Sequence, residues 1–397
     1  MTRAGDRASR LERWLARVFG DDEPTSVGSG WIAGTVSVFL GFVAVLGALA
    51  FWFPGLFTTA EFRGRYPVAA LRALLEFTIG LTFLLGAASL MMRRRKVLGL
   101  TGIALSLIAL VTGGGRVAPV SGVDVPFTIG LDWFALNVLL TAVVFVPLER
   151  VFPLRAGQST FRFGWATDAA HFLVSHLAVQ TLSFLTLLPA TSLARVWQPE
   201  ALQQAVRTVP LWAQCLAILL LSDLVQYWVH RAFHVVPALW RLHAVHHSST
   251  VMDWLAGSRL HVVDVLVTRG LVLVPIFLLG FATEALYAYL VFVSFHAVFI
   301  HANVRFRFGW IDRVIATPRG HHWHHAPAPV DKNFAVHLPA LDWLFGTQHL
   351  PANAWPEAYG ITGDPVPEGY LRQLAHPFRP GGARAAQSER PPNPRLR

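Results

Sequence analysis

The sequence predicts an all-α fold, a polytopic membrane bundle of about eight spans with a histidine-rich cap on one membrane face, and three observations predict it. Of its 397 residues, 54% are hydrophobic and 14% charged, with a mean hydropathy of +0.46, which excludes an ordinary soluble chain. Apolar runs recur at or near the roughly 20 residues that a helix needs to cross about 30 Å of hydrocarbon. Arginines gather at the borders of those runs, where positive residues set orientation. The net charge of +10 is therefore read as attraction to the headgroup layer and not as a nucleic-acid interface. The single cysteine, Cys215, lies inside an apolar run and excludes an intrachain disulfide, a CxxC zinc site and a four-cysteine iron–sulfur cluster. Any metal must rely on histidine.

In chain order, residues 1–30 carry Arg3, Arg7, Arg10, Arg13 and Arg17, with Leu11, Trp14, Leu15 and Val18 at helical spacing, and are expected to form a cytoplasmic interfacial segment. No cleavable signal peptide is expected, because the next apolar run is long enough to span. Trp31 to Phe53 and Pro67 to Met92 form two spans, the second ending against Arg93-Arg94-Arg95-Lys96, which should stay cytoplasmic. Val97 to Thr112 returns outward as a short third span. These three make a membrane extension, residues 31–128, closed by an outer loop from Gly113 to Thr128. Ile129 to Phe152 comes back inward and opens a second membrane domain, residues 129–375. One span is expected from Gly164 to Val196, carrying Asp168, His171 and His176 as site candidates or helix-to-helix hydrogen-bond partners. Pro210 to Val229 descends to His230, and the segment from His234 to His261 is too polar to span and belongs at the headgroups. Val262 to Leu279 and Phe281 to Ile300 then form a hairpin about Gly280, so that His301 emerges on the same face as His230. The tail, residues 376–397, is rich in proline, glycine and arginine and is expected to be disordered.

The histidines carry the chemistry. His230 and His234 stand four apart, and His243, His246 and His247 follow at offsets of three and four, a pattern repeated by His321, His324 and His325. Residues at i, i+3 and i+4 are neighbours on a helix, so this is metal-ligand spacing. Any one histidine on an apolar face is ordinarily a core residue, but recurrence in three clusters reverses that weighting. The topology read from the arginines delivers all three clusters, with both termini, to the cytoplasmic face. Neutral imidazole suits zinc, copper, iron and nickel, and a structural zinc takes only four ligands. The eight clustered histidines, with His301 and His261 as possible additions, could hold two metal ions. Two irons in such a cage would keep positions open for dioxygen and reach unactivated C–H bonds.

Ligating histidines usually donate their second N–H to a carboxylate or carbonyl. Asp223, two helical turns before His230, is the best candidate for that role. Asn303, Asn333 and Asp342 are further candidates, with solvent contact or helix capping as the competing reading. Arg231 and Arg259 either neutralise a lipid headgroup or snorkel at the boundary. Trp228, Trp240, Trp254, Trp323 and Trp343 are expected to mark the interfacial belt.

These residues resemble the fatty acid hydroxylase/sterol desaturase superfamily of integral-membrane, histidine-rich non-haem di-iron oxygenases. The resemblance is carried by Asp223 with residues 227–234, by residues 239–249, by His301-Ala302-Asn303, by residues 317–325, and by Asn333 with residues 342–347. It covers roughly residues 145–348 and begins at Glu149-Arg150-Val151-Phe152-Pro153. It implies a helical membrane domain with a cytosolic di-metal site that uses dioxygen and two external electrons to hydroxylate or desaturate a lipid, whether sterol, fatty acyl or related. Position by position, His230, His234, His243, His246, His247, His301, His321, His324 and His325 match the family's metal-binding histidines, and His261 matches a position often associated with the site. The first pair here is HxxxH, whereas some fatty acid hydroxylases have one more intervening residue.

The expectation is therefore an O2-dependent lipid oxidoreductase with two Fe ions and no catalytic side chains beyond the metal ligands. No flavin, nicotinamide or fused haem motif is visible, so electrons are expected from a separate ferredoxin or cytochrome-type donor. The other reading is a histidine-rich membrane metal-handling or transport protein without redox catalysis. It calls for histidines along the middle of spans, whereas these sit at helix ends and in polar segments.

Overall fold

A computed structural model describes residues 14, 27–58, 67–113, 131–181, 183–197, 199–352, 354–362 and 366–379. Most of the expected interfacial segment, the outer loop beyond Gly113, the end of the tail and the His176 side chain lie outside the described residues. All the longer elements are α-helices, in two compact units, Met1–Phe163 and Gly164–Arg397.

The first unit holds α1 (Trp31–Trp52), α2 (Val68–Met92), α3 (Val97–Val111) and α4 (Leu131–Val151). Helix α1 packs against the other three through small residues, which let backbones approach where no hydrophobic drive separates helix from lipid. Gly102 shows the need: a Cβ there would fall 1.7 Å from Ser37 Oγ. Ser37 and Ser106 donate across the bundle to the Thr82 and Ile79 carbonyls. Leu74, Phe77 and Leu84 on α2 are more than half exposed, an apolar surface suited to hydrocarbon.

The second unit holds α5 (Trp165–Thr181), α6 (Ser183–Val196), α7 (Glu200–Thr208), α8 (Leu211–Val235), α9 (Pro237–His247), α10 (Val262–Leu279), α11 (Thr283–His301) and the short α12 (Pro318–His324), α13 (Pro339–Leu344) and α14 (Tyr370–Ala375). In the stretch expected as one span from Gly164 to Val196, residues 165–181 and 183–196 are helical, residue 182 lies outside the described residues, and Asp168 and His171 are buried. The hairpin turns where expected: Gly280 closes α10 in the left-handed region, with φ of 65°. Among the described residues, five helices are long and apolar enough to cross a membrane, α1, α2, α8, α10 and α11, and two further apolar helices, 97–111 and 185–196, are shorter.

Helix α8 organises the second unit. At 25 residues it is about 37 Å long, more than the hydrocarbon needs, so its last turns can project past the apolar layer carrying His230 and His234. Pro237 starts α9 at its first turn, where the missing N–H costs nothing, and redirects the chain under the bundle. Helices α10 and α11 both pack along α8, with Ile218, Val272, Ile276, Ala285 and Tyr289 forming the shared core.

Candidate metal centre

Nine histidines converge in two buried groups. His230, His234, His243, His247 and His324 form one, and His246, His301, His321 and His325 the other; within each group the ligand atoms lie within 4.8 Å of one another. Helix geometry explains the partition. In the first HxxHH box, His243 and His247, four apart on one face, join the five-histidine group, while His246, at offset three, joins the other. In the second box the assignment is reversed: His321 and His325 join the four-histidine group and His324 the five. Each box thus contributes to both groups and ties them side by side, with the His247 and His325 rings stacked at a centroid distance of 4.5 Å.

The outward nitrogens fix the rings. Nδ1 of His230 donates to the Phe334 carbonyl at 2.7 Å, that of His324 to Lys332 at 2.8 Å, that of His246 to Arg259 at 3.1 Å and that of His301 to Ala297 at 2.6 Å. His243 Nδ1 donates to the Asp264 carboxylate at 2.7 Å. A neutral imidazole protonated on Nδ1 carries its lone pair on Nε2, and these lone pairs point inward. The Nε2 atoms of His230 and His243 are 3.0 Å apart, those of His301 and His321 3.0 Å, those of His321 and His325 3.2 Å and those of His246 and His301 3.4 Å. Nε2 of His247 and of His324 is buried with no hydrogen-bond partner.

Protonation does not relieve this crowding. Burial, and then the charge of neighbouring histidines, holds His246, His247, His321, His324 and His325 well below the ordinary histidine pKa. Facing lone pairs at about 3 Å repel, and a cation among them converts repulsion into ligation. The donor set, all imidazole and neutral, fits a divalent transition metal in each group.

The structure departs from the sequence expectation at several residues. His261 stands outside both groups: its Nδ1 accepts from Val263 N–H as the N-cap of α10, and its Nε2 donates to the Leu374 carbonyl, so both nitrogens are engaged. Asp223 does not touch a histidine ring; its carboxylate accepts from the backbone N–H groups of Val336, His337 and Leu338. It acts one step further out, holding the loop whose Phe334 carbonyl receives His230. Asp342 pins the same loop through Phe334 N–H and Ala335 N–H. Asn333 donates to the Gly320 and His349 carbonyls, fastening that loop to α12 rather than contacting a ring. Asn303 is buried just beyond α11. Arg259 neither snorkels nor meets solvent; 1% exposed, it forms a buried ion pair with Asp168 and donates to Ser248 Oγ. Arg231 lies over the Trp228 ring, and Trp240 packs on His234 and His247.

Sequence reasoning missed Asp264, the carboxylate that does hold a ring, and a second buried pair, His296 and His337, with Nδ1 atoms 3.1 Å apart. Asp264 and Arg269 are charges inside an apolar run, and that was the available signal.

Comparison with known proteins agrees with this geometry. Residues 215–347 match the family model "Fatty acid hydroxylase". The chain is 29% identical over 266 residues to ornithine lipid hydroxylase OlsE of Rhizobium tropici, covering 66% of this chain and 80% of that protein. It is 32% identical over 143 residues to alkylglycerol monooxygenase of Homo sapiens and 30% over 127 residues to that of Danio rerio, covering 35% and 32% of this chain. Those two stretches span only 31% and 28% of the alkylglycerol monooxygenases. No solved structure matches the chain. The fatty acid hydroxylase domain matched at residues 215–347 contains all nine converging histidines.

Proposed function

We propose that this chain hydroxylates a C–H bond of a membrane lipid with dioxygen, at two iron ions held by the nine histidines, using electrons from a separate ferredoxin or cytochrome-type donor. The observation that carries the proposal is the pair of adjoining, buried, all-imidazole groups. The family match and the hydroxylase and monooxygenase relatives support the reaction class. Two irons bound there would supply the dioxygen activation that an unactivated C–H bond requires.

The chain's own residues do the rest. His230, His234, His243, His247 and His324 would hold one ion, and His246, His301, His321 and His325 the other. Their Nδ1–H bonds to Phe334, Lys332, Arg259, Ala297 and Asp264 keep five of the rings from turning. Burial of all nine keeps bulk water from the ions. The catalytic part is assigned to the second membrane domain, residues 129–375. The basic run Arg93 to Lys96 after α2 supports a cytoplasmic metal site and cytoplasmic termini.

A metal-handling or transport role is disfavoured. The nine histidines gather in closed groups around helix ends and do not line a path through the bundle. The test is lipid mass profiling of cells with and without the chain. Gain of one oxygen in one lipid class is expected; loss of two hydrogens instead would assign desaturation. No mass change in any lipid class, with protein present and metal-loaded, would refute lipid oxidation.

A further inference from the structure

Beyond the metal centre, the second unit carries an apolar surface that its own packing leaves uncovered. On the short helix α13, Leu341 and Asp342 are buried, while Ala340, Trp343 and Leu344, at offsets of three and four, are exposed together. The turn Gly309–Arg313 packs beside α13 and exposes Trp310, with Val314 exposed just after it. Both tryptophans are 73% exposed, although indoles are on average well buried. Behind this surface Phe306 meets Phe308 edge to face, and Phe308 meets Phe299 of α11, so the segment is fastened to the end of that helix.

Two observations say what covers it. The first is continuity with a span. Helix α8 exposes Leu216, Leu220 and Trp228, apolar residues of the kind a span turns to hydrocarbon. Trp228, two residues before His230, lies edge to face on Phe345 at 5.0 Å, and Phe345 directly follows α13. The exposed face of α13 therefore adjoins the end of α8 that leaves the apolar layer. The second observation is charge. Across residues 305–314 the exposed charges are Arg305, Arg307 and Arg313, and the one acid, Asp312, is buried against Arg319 and Thr317. Across residues 339–346 the one acid, Asp342, is buried and accepts from Phe334 and Ala335 N–H. Exposed tryptophan with basic side chains at the exit of a span is a composition that seats in a headgroup layer, and anionic lipid adds attraction. An acidic protein would suit the arginines but not four exposed apolar side chains beside the lipid-facing end of α8.

We propose that residues 305–314 and 339–346 rest on the bilayer surface, with Trp310, Val314, Trp343 and Leu344 in the headgroup layer and Arg305 and Arg313 on the phosphates of anionic phospholipids. The contact lies against the metal centre: Leu341 and Phe345 pack with Tyr227 and Phe334, and the Phe334 carbonyl receives His230. It does not depend on lipid oxidation.

The test reads distance from lipid, on the full chain in nanodiscs of phosphatidylcholine with or without phosphatidylglycerol. Trp310→Cys and Trp343→Cys, each in a Cys215→Ser background, carry a bimane fluorophore, with Ala358→Cys as an exposed reference outside both segments. A nitroxide on the lipid headgroup should quench the labels at 310 and 343 about twofold or more beyond the label at 358. Phosphatidylglycerol should widen that difference, and Arg305→Gln with Arg313→Gln should remove the widening while leaving the quenching in phosphatidylcholine. Leu344→Cys supplies a third position should a tryptophan variant fail to fold. Quenching no greater than at 358 overturns the bilayer contact; if aqueous iodide also fails to reach the labels, a second protein covers the surface instead. Quenching indifferent to phosphatidylglycerol, or a widening that survives both arginine changes, overturns the anionic partner.

Discussion

Replacing Asp264 by asparagine should loosen the five-histidine group and spare the four-histidine group. Asp264 accepts from His243 Nδ1 at 2.7 Å with both residues 4% exposed, so the bond is charge-assisted and shielded from water. Such bonds contribute about 1.5–3 kcal/mol against about 1 kcal/mol for a neutral one. Asparagine can still accept through its oxygen, so Asp264→Asn loses about 1–2 kcal/mol of ring orientation, or roughly 5- to 30-fold in metal affinity. Asp264→Ala also leaves the Nδ1–H buried without an acceptor and should cost roughly 100-fold. Chelator competition on purified protein, with bound metal counted at each step, reads this directly. One ion should leave early and the other at the wild-type chelator concentration. If both leave together, or the variants bind both ions as the wild type does, the partition of ligands is wrong.

Acidification should release metal and destabilise the chain. His246, His247, His321, His324 and His325 are held neutral by burial, well below the ordinary value of 6.5. A depressed folded pKa means stability that is present above pH 6.5 and is lost as pH falls below it, because the unfolded chain takes up those protons first. Thermal unfolding and bound metal followed from pH 7.5 to 5.5 check this, and a flat profile contradicts it. Arg259→Met should cost about 3–5 kcal/mol by removing the buried cation that faces Asp168, while Arg259→Met with Asp168→Leu recovers much of it. Denaturant unfolding of the two variants decides, and a double variant no better than the single one refutes the pairing. Purified protein given NADPH and lipid should stay inactive until an electron-transfer protein is added; turnover with NADPH alone would remove the separate donor.

Much of the site was legible in the chain because imidazole spacing on a helix is a local property. Each of the nine converging histidines sits in a cluster or at the end of an apolar run that periodicity identifies. Their division into two groups was not legible. It depends on α12 facing α9 so that His324 crosses to one group while His246 crosses to the other, a tertiary relation that no spacing encodes. The outer contacts failed for the same reason. Asp223 is two turns from His230 on one helix, but the chain brings the loop 336–338 to its carboxylate first. Asp264 reaches His243 from another helix. His261 looked like a ligand because it lies among ligands in sequence, yet it caps α10. The long spans and the turn at Gly280 followed from run length and glycine.

The most direct test of the central claim is the metal content of the purified full chain. Two adjoining histidine groups predict about two irons per chain. His247→Ala should weaken the ion of the five-histidine group, His325→Ala that of the four-histidine group, and His246→Ala with His247→Ala, which takes one ligand from each, should lose both. A single weakly held zinc, or no bound metal in protein that is folded, would contradict the account.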